Sequence, residues 1–334
     1  MKFQKKNLLK KKMSDYFKVK RPGLISTFQD LGRKNFYHIG LPFSGVMDKR
    51  NFLLLNKLCG NNLKDPVIEF AYQGPKLEFY GNTRNIVVAG NVNFVIKKKN
   101  KTEINGECYK SIKLENGDII DIISTSNSVY GYFSVNGGFL INKVWGSYST
   151  TIRPKVGANN GKKLQSNQKI FLNTYNNSDI RKLDFINTKI NFIRILKGTN
   201  FDFFTKKSQD EFFSKKFIVT KFSDRMGMRL EGPKIQNSKF SNIKSEGLVK
   251  GVIQIPTDGN PIIMLSDHGT IGGYPKFGVV ISADYDKLVQ IPTGSKIKFK
   301  LIELNEAENL YKLYNMETKN ILNRIKWIKK FKKS

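Results

Sequence analysis

The stretch Ser266-Asp-His-Gly-Thr-Ile-Gly-Gly-Tyr-Pro-Lys276 lies between two apolar runs, Pro261-Ile-Ile-Met-Leu265 and Phe277-Gly-Val-Val-Ile281. Short apolar runs punctuated by glycine and proline read as strands, so the segment reads as strand, polar loop, strand. The paired Gly272 and Gly273 suit a backbone that turns sharply or lets another group approach closely. Pro275 restricts the backbone beside them. Five polar side chains crowd the loop: the carboxylate of Asp267, the imidazole of His268, the hydroxyl of Thr270, the phenol of Tyr274 and the ammonium of Lys276. A loop so loaded, mounted on a rigid sheet, is where binding and catalytic groups tend to stand. The plainer reading is a glycine-rich hairpin whose polar groups face water.

The same punctuation recurs along the chain. Ile86–Ala89, Asn93–Lys97, Asp118–Ile123 and Tyr130–Val135 are short Val/Ile/Phe/Tyr runs separated by Gly, Asn and Pro. Their spacing predicts a mainly β architecture of sandwich or barrel type. Helical periodicity is confined to Met47–Cys59, with Phe52, Leu55 and Leu58 on one side, and to Phe203–Phe213 and Glu303–Lys330. The last is basic and amphipathic, with Ile321, Leu322, Ile325, Ile328 and Phe331 near one side. Such a helix more often docks its apolar side on the body than lies on a membrane. The asparagine-rich stretch 173–191 divides the chain. The expected organisation is a basic extension over 1–13, an N-terminal β lobe over 14–190, a C-terminal β lobe over 191–312 and a basic helix and tail over 313–334.

A chain of 334 residues with 39% apolar content can bury a sizeable core. Its net charge is +31, of which segments 1–21 and 321–334 carry 14. Nucleic-acid contact is one reading of that charge, but no recognition helix, RNA-binding or zinc-finger pattern accompanies it. A compositional preference for Lys, Asn and Ile, as an A+T-rich genome produces, explains it better. Two cysteines, Cys59 and Cys108, make no disulfide framework and suit the cytoplasm. No run of about twenty apolar residues is present, so no membrane span is expected.

Composition also excludes chemistry. His38 and His268 are the only histidines, so a multi-histidine metal centre is impossible and no metal site is expected. Gly157-Ala-Asn-Asn-Gly-Lys-Lys163 is one residue short of a phosphate-binding loop and lacks its Ser or Thr, and so reads as a β turn. No Gly-x-Ser-x-Gly elbow occurs, which argues against a serine hydrolase. Asp267 beside His268 does not form a triad by adjacency, and His268 reads as a loop histidine bonded to backbone.

Two further segments carry candidate chemistry. Ser223-Asp-Arg-Met-Gly-Met-Arg-Leu-Glu-Gly-Pro233 holds two arginines and two carboxylates. Ser245-Glu-Gly-Leu-Val-Lys-Gly-Val-Ile-Gln-Ile-Pro-Thr-Asp-Gly259 alternates apolar and other residues before an Asp-Gly turn. An arginine fork grips a carboxylate or phosphate at two points, so Arg225 reads as an anion holder. It reads equally well as half of an internal ion pair with Asp224 or Glu231 that fixes a turn.

Together with Gln29-Asp-Leu-Gly-Arg33, Pro42-Phe-Ser-Gly-Val-Met-Asp48 and Gly146-Ser147 followed by Ser149-Thr150, these segments resemble the C subunit of bacterial 5-oxoprolinase. That family is also described as biotin-dependent carboxyltransferase, allophanate hydrolase subunit 2 or Kip-type antagonist. The similarity runs in order from about Val19 to about Ala307. The chain departs from the family pattern at Tyr148, where an arginine is usual, at Gly161-Lys162 for Gly-Arg, at Ser166-Asn167 for Gly-Asp, and at Gly269 for glutamine.

The resemblance implies two tandem cyclophilin-like β-barrel lobes with a cleft between them. It also implies a role in an ATP-dependent cyclic-amide hydrolase that opens the 5-oxoproline lactam to glutamate. ATP and magnesium would be substrates of the complex. The A subunit and a Kip inhibitor-like B subunit would be partners, and the chain would be nearly inert alone. On this reading Arg225, Arg229 and Lys276 face anionic groups, while Asp224, Asp258 and Asp267 handle magnesium or protons. Gln254 and Thr270 orient the amide, and Glu246 serves as base. Tyr274, Gly272 and Gly273 complete this wall. Gln29, Asp30, Arg33 and Asp48 form the opposite one. The alternatives are carboxyl transfer from biotin to a urea-like amide, with biotin delivered by a partner, and a regulatory module that binds a Kip inhibitor-like protein.

Overall fold

A computed structural model describes residues 15–175, 180–184, 191–237 and 243–327. The basic extension over 1–13, Ile328 and Phe331 lie outside them. The chain up to Leu172 forms two antiparallel sheets packed face to face. One has six strands in the order Lys169–Phe171, Tyr16–Arg21, Lys76–Tyr80, Ile119–Thr125, Val92–Lys97, Glu103–Asn105. The other has five, in the order Ile25–Gln29, Val67–Ala71, Tyr130–Val135, Arg84–Ala89, Ile112–Leu114. Phe17, Val19, Leu77 and Phe79 of the first sheet meet Phe28, Ile68, Val88 and Phe133 of the second in one core.

The five-stranded sheet is covered on both faces. Every residue of Val67–Ala71, Arg84–Ala89 and Tyr130–Val135 is buried. That explains why these runs are mostly apolar without strict alternation, with Glu69, Arg84, Asn85 and Ser134 as polar exceptions. Side chains two apart share a face. Ile68 and Phe70 therefore belong to the first core, while Val67 and Ala71 point into a second, which the helices and the other half of the chain complete. Glu69 shares that second face.

Beyond Phe192 the chain builds an eight-stranded sheet. Its order is Lys296–Ile297, Phe217–Val219, Gly227–Glu231, Ile262–Met264, Val252–Gln254, Lys276–Val280, Ile193–Lys197, Phe299–Leu301. The two edge strands are separated in sequence only by Lys298, so the chain itself joins one edge to the other and nearly closes a barrel. Helix α1 spans Lys49–Cys59, α2 Lys206–Ser214, α3 Ser282–Leu288 and α4 Leu304–Asn323. Phe212 of α2 fills the barrel, with ring centroids 4.2 Å from Phe277 and 4.7 Å from Phe299. The mainly β architecture with a few short helices and a C-terminal helix is the one the sequence predicts.

Boundaries moved for local reasons. The first helix begins at Lys49 instead of Met47 because Asp48 caps it, accepting from Asn51 N at 2.9 Å. The second begins at Lys206, capped by Thr205, after a separate short turn over Phe201–Phe203. Helix α4 ends at Asn323 and does not reach Lys330. Ile325 is buried beyond it, and Lys326–Trp327 pairs with Arg181–Lys182. Helix α3, unpredicted, is too short to show a period. Gly157–Lys163 is a 3₁₀ turn over Ala158–Gly161 with Asn159 and Asn160 left-handed.

The first helix joins the two halves. Its first amides, Lys49 N and Arg50 N, donate to the Asp286 carboxylate of α3 at 3.1 and 2.9 Å. Tyr314 of α4 donates to the same carboxylate, and the Arg50 guanidinium lies 4.3 Å over the Tyr314 ring. Helix α4 thus docks on α1 and α3. Among the described residues no helix is long and apolar enough to cross a membrane.

Candidate functional site

Strand register brings Arg225 and Asp267 together. Gly227 pairs with Met264, which places the residues just before one strand beside those just after the other. Asp267 N then donates to Arg225 O at 2.9 Å. The intervening turn is held by Asp224, whose carboxylate accepts from Met226 N and Gly227 N. The Arg225 fork grips Asp267 at two points, Nε to Oδ2 at 2.8 Å and Nη2 to Oδ1 at 3.0 Å. Its remaining edge reaches into the first half, pairing with Glu69 and donating to Gly45 O at 2.7 Å. Ser44 Oγ donates to Asp267 Oδ1 at 2.6 Å.

Burial opposes the charge on Arg225, but Asp267 and Glu69 outweigh it and hold the guanidinium above its ordinary pKa. Burial raises Glu69, with Arg225 pulling the other way. Such a buried cluster holds only while every member is paired. The ion-pair reading of Arg225 therefore describes its state, with a correction. Its partners are Asp267 of the same half and Glu69 across the seam, and not Asp224 or Glu231. With Asp224, Tyr72, Tyr130 and Met228 it also borders a crevice of about 140 Å³.

A second cluster lies next along the chain. Glu246 pairs in register with Gly272, and its carboxylate meets the Lys276 ammonium. Gln254 Nε2 donates to Tyr274 O at 3.1 Å. A Cβ at Gly272 would stand 2.7 Å from Gln254 Nε2 and 2.8 Å from Leu248 Cδ1, so any larger residue would push these side chains aside. Leu248 N donates to Thr270 O at 3.0 Å. Tyr37, from the first half, donates to Leu248 O and sets its ring 6.1 Å from that of His268.

His268 is buried, with Nδ1 2.6 Å from Gly269 O. A carbonyl only accepts, so Nδ1 carries the proton and Nε2 keeps a lone pair. Burial lowers the pKa of this imidazole, which favours the neutral form. Lys250 exposes its stem while its ammonium stands 4.2 Å over the Tyr285 ring. Burial lowers its pKa, and it forms no ion pair among the described residues. Its field also lowers the pKa of His268. Glu69, Ser44, Tyr37 and Lys250 were missed in the sequence. The available signal was a lone carboxylate inside the apolar run Val-Ile-Glu-Phe-Ala.

The first-half candidates turn inward. Gln29 donates to Thr27 Oγ1 and Thr150 O, at 3.0 and 2.9 Å. Asp30 accepts from Ser147 Oγ and Ser149 Oγ, each at 2.6 Å, and from Tyr148 N at 2.8 Å. Arg33 is buried and donates to Thr151 Oγ1 at 2.9 Å and Ser149 O at 2.7 Å. Burial lowers its pKa, offset in part by Asp30 and Asp267. Asp48 caps α1 and accepts from Gln290 Nε2 at 3.0 Å; burial, with Asp286 nearby, raises it to about 7.

Other candidates stay apart. Asp258 is exposed and bonds Asn260, while Asp224 and Arg229 are exposed near the turn. Asp224, Asp258 and Asp267 do not converge. Among the described residues no three His, Cys, Asp or Glu gather as metal ligands. Gly273 packs on Ile243 O, and Tyr274 is partly exposed.

The carboxyltransferase domain model, subdomain A and B, matches residues 39–301. The C subunit of 5-oxoprolinase from Haemophilus influenzae is 31% identical over 287 residues, covering 85% of this chain and 91% of that one. The Escherichia coli protein of the same name is 28% identical over 292 residues, covering 87% and 92%. Among solved structures, the K. lactis urea amidolyase superposes with a TM-score of 0.82 at 28% identity, covering 92% of this chain and 20% of that one. The chain therefore belongs to the family of carboxyltransferase domains with subdomains A and B.

Proposed function

We propose that this chain is the C subunit of an ATP-dependent 5-oxoprolinase and acts with A and B subunits. The observation that carries the reading is coverage. The chain is 31% identical to a 5-oxoprolinase C subunit along 91% of that relative's length. The lactam of 5-oxoproline is a stabilised amide. Its oxygen attacks the γ-phosphorus of ATP, ADP leaves, and the ring carbon becomes electrophilic. Water adds, the C–N bond breaks, and the nitrogen departs as the amine. A second water then splits the acyl phosphate to glutamate and phosphate. Such steps need alignment and charge neutralisation more than covalent protein chemistry.

The seam between the halves offers both. His268 Nε2 accepts a proton from the attacking water, and Lys250 faces the phosphorylated oxygen. Lys276 with Glu246, Gln254 and Thr270 form the wall that orients the amide, and Arg225 with Asp267 holds the halves in register. Reconstitution with A and B subunits tests this reading by ATP-dependent release of glutamate from 5-oxoproline. Absence of glutamate in a complete complex refutes it. A second reading, carboxyl transfer from partner-borne biotin to a urea-like amide, draws on the urea amidolyase likeness. Carboxylation of urea with a biotin carrier would favour it.

A further inference from the structure

Two loops of the first half, residues 31–43 and 143–156, create a surface of unusual character. Ile39 is 59% exposed, Trp145 49%, Phe43 46% and Leu31 44%. One such residue is ordinary on a soluble protein, but several side by side mark an interaction surface. The two loops are continuous. Phe36 stacks on Trp145 at 5.3 Å between centroids, and Tyr37 stacks on Phe43 at 4.8 Å. Trp145 takes a left-handed φ of 51°, uncommon outside glycine, so the backbone fixes where the indole stands.

Cations predominate on this face, with the half-buried Asp65 near Lys143 as a counter-charge. Lys34, Lys143, Arg153 and Lys155 are exposed, and none forms an ion pair among the described residues. Between Ile122 and Ser178 the sequence contains no Asp or Glu. The face also borders the site. Arg153 Nη1 lies 3.5 Å from Met226 Sδ, and Tyr37 donates to Leu248 O.

We infer that this aromatic, cationic face docks an acidic, apolar-edged surface of one companion subunit, an inference that rests on the chain being one subunit of several. An excess of exposed cations without ion-pair partners selects an acidic partner and speeds its capture. Interface cores favour Trp, Tyr, Phe and Arg. Docking here would cover the mouth of the seam.

The test measures binding of the full chain to purified A-type and B-type subunits by calorimetry. The triple variant Lys143→Glu, Arg153→Glu, Lys155→Glu should weaken binding to one of them at least 10-fold, and Trp145→Ala should do so without altering net charge. Reversing Lys216, Lys296 and Lys298, all exposed on the barrel, should leave the affinity unchanged. Full affinity in both face variants overturns the inference alone and leaves the subunit reading standing. Absence of binding by the unmodified chain to either subunit overturns both. Loss of binding to a DNA duplex or to anionic vesicles, with subunit binding intact, also overturns it.

Discussion

Arg225 and Asp267, forty-two positions apart, form a two-point ion pair with Nε–Oδ2 at 2.8 Å and Nη2–Oδ1 at 3.0 Å. Because the same guanidinium also meets Glu69 of the first half, one residue ties the barrel to the five-stranded sheet. Removing the cation strands two buried carboxylates, a change that costs about 3–5 kcal/mol. Arg225→Met should lower stability in urea by that order. Asp267→Asn, which leaves Arg225 its bond to Glu69, should cost less. Losses that simply add in the double variant would show that the two residues do not act as a linked cluster.

Asp48 should make stability depend on pH in a defined direction. Its folded pKa is raised to about 7 from an ordinary 3.8 by burial and Asp286. A raised folded pKa contributes stability that is fully present below the unfolded value and is lost as pH rises through the folded one. Relative to the parent, Asp48→Asn should therefore gain stability between about pH 4 and pH 7, where the parent carboxylate becomes harder to keep buried. Chemical denaturation across that window reads the difference, and parallel curves would refute the assignment.

His268 should act with the opposite slope. Its folded pKa lies below the ordinary 6.5. The unfolded chain binds the proton more readily, so stability falls as pH drops below that value. His268→Asn should lessen this loss. In the reconstituted complex the same variant should also depress glutamate release at neutral pH, where the parent imidazole is neutral.

Lys250 carries an ammonium over the Tyr285 ring with no carboxylate bound to it among the described residues. Lys250→Met should shift stability by no more than about 1 kcal/mol, because loss of the contact with the Tyr285 ring is offset by removal of a desolvated ammonium. Reconstituted activity should fall about 10²–10³-fold, the usual cost of removing one preorganised charge-stabilising donor. Activity within a factor of two of the parent would remove Lys250 from the site.

Gly272→Ala should damage the wall formed by Gln254 and Leu248. The added methyl would stand 2.7 Å from Gln254 Nε2, and overpacking of this kind costs about 1–3 kcal/mol. Glutamate release should fall more than stability predicts, because Gln254 must turn away. An unchanged KM for 5-oxoproline would separate Gly272 from substrate orientation.

The sequence by itself determined the local elements. Short Val/Ile/Phe/Tyr runs between turn residues made strands, and Asp48 set the start of the first helix, because those signals lie within a few residues of what they specify. The loaded loop from Ser266 to Lys276 was legible as a polar loop between two strands, but its place beside the junction of the halves was not. What only the tertiary structure decided was which distant groups meet. Glu69 is one polar residue in an apolar strand until the barrel sets Arg225 against it, and Gln29, Asp30 and Asp48 read as open ligands until packing turns each toward backbone or helix cap. Helix α3 was invisible because seven residues are too few to show a period. Burial and pairing depend on contacts across more than a hundred positions, and nothing within a short window encodes them.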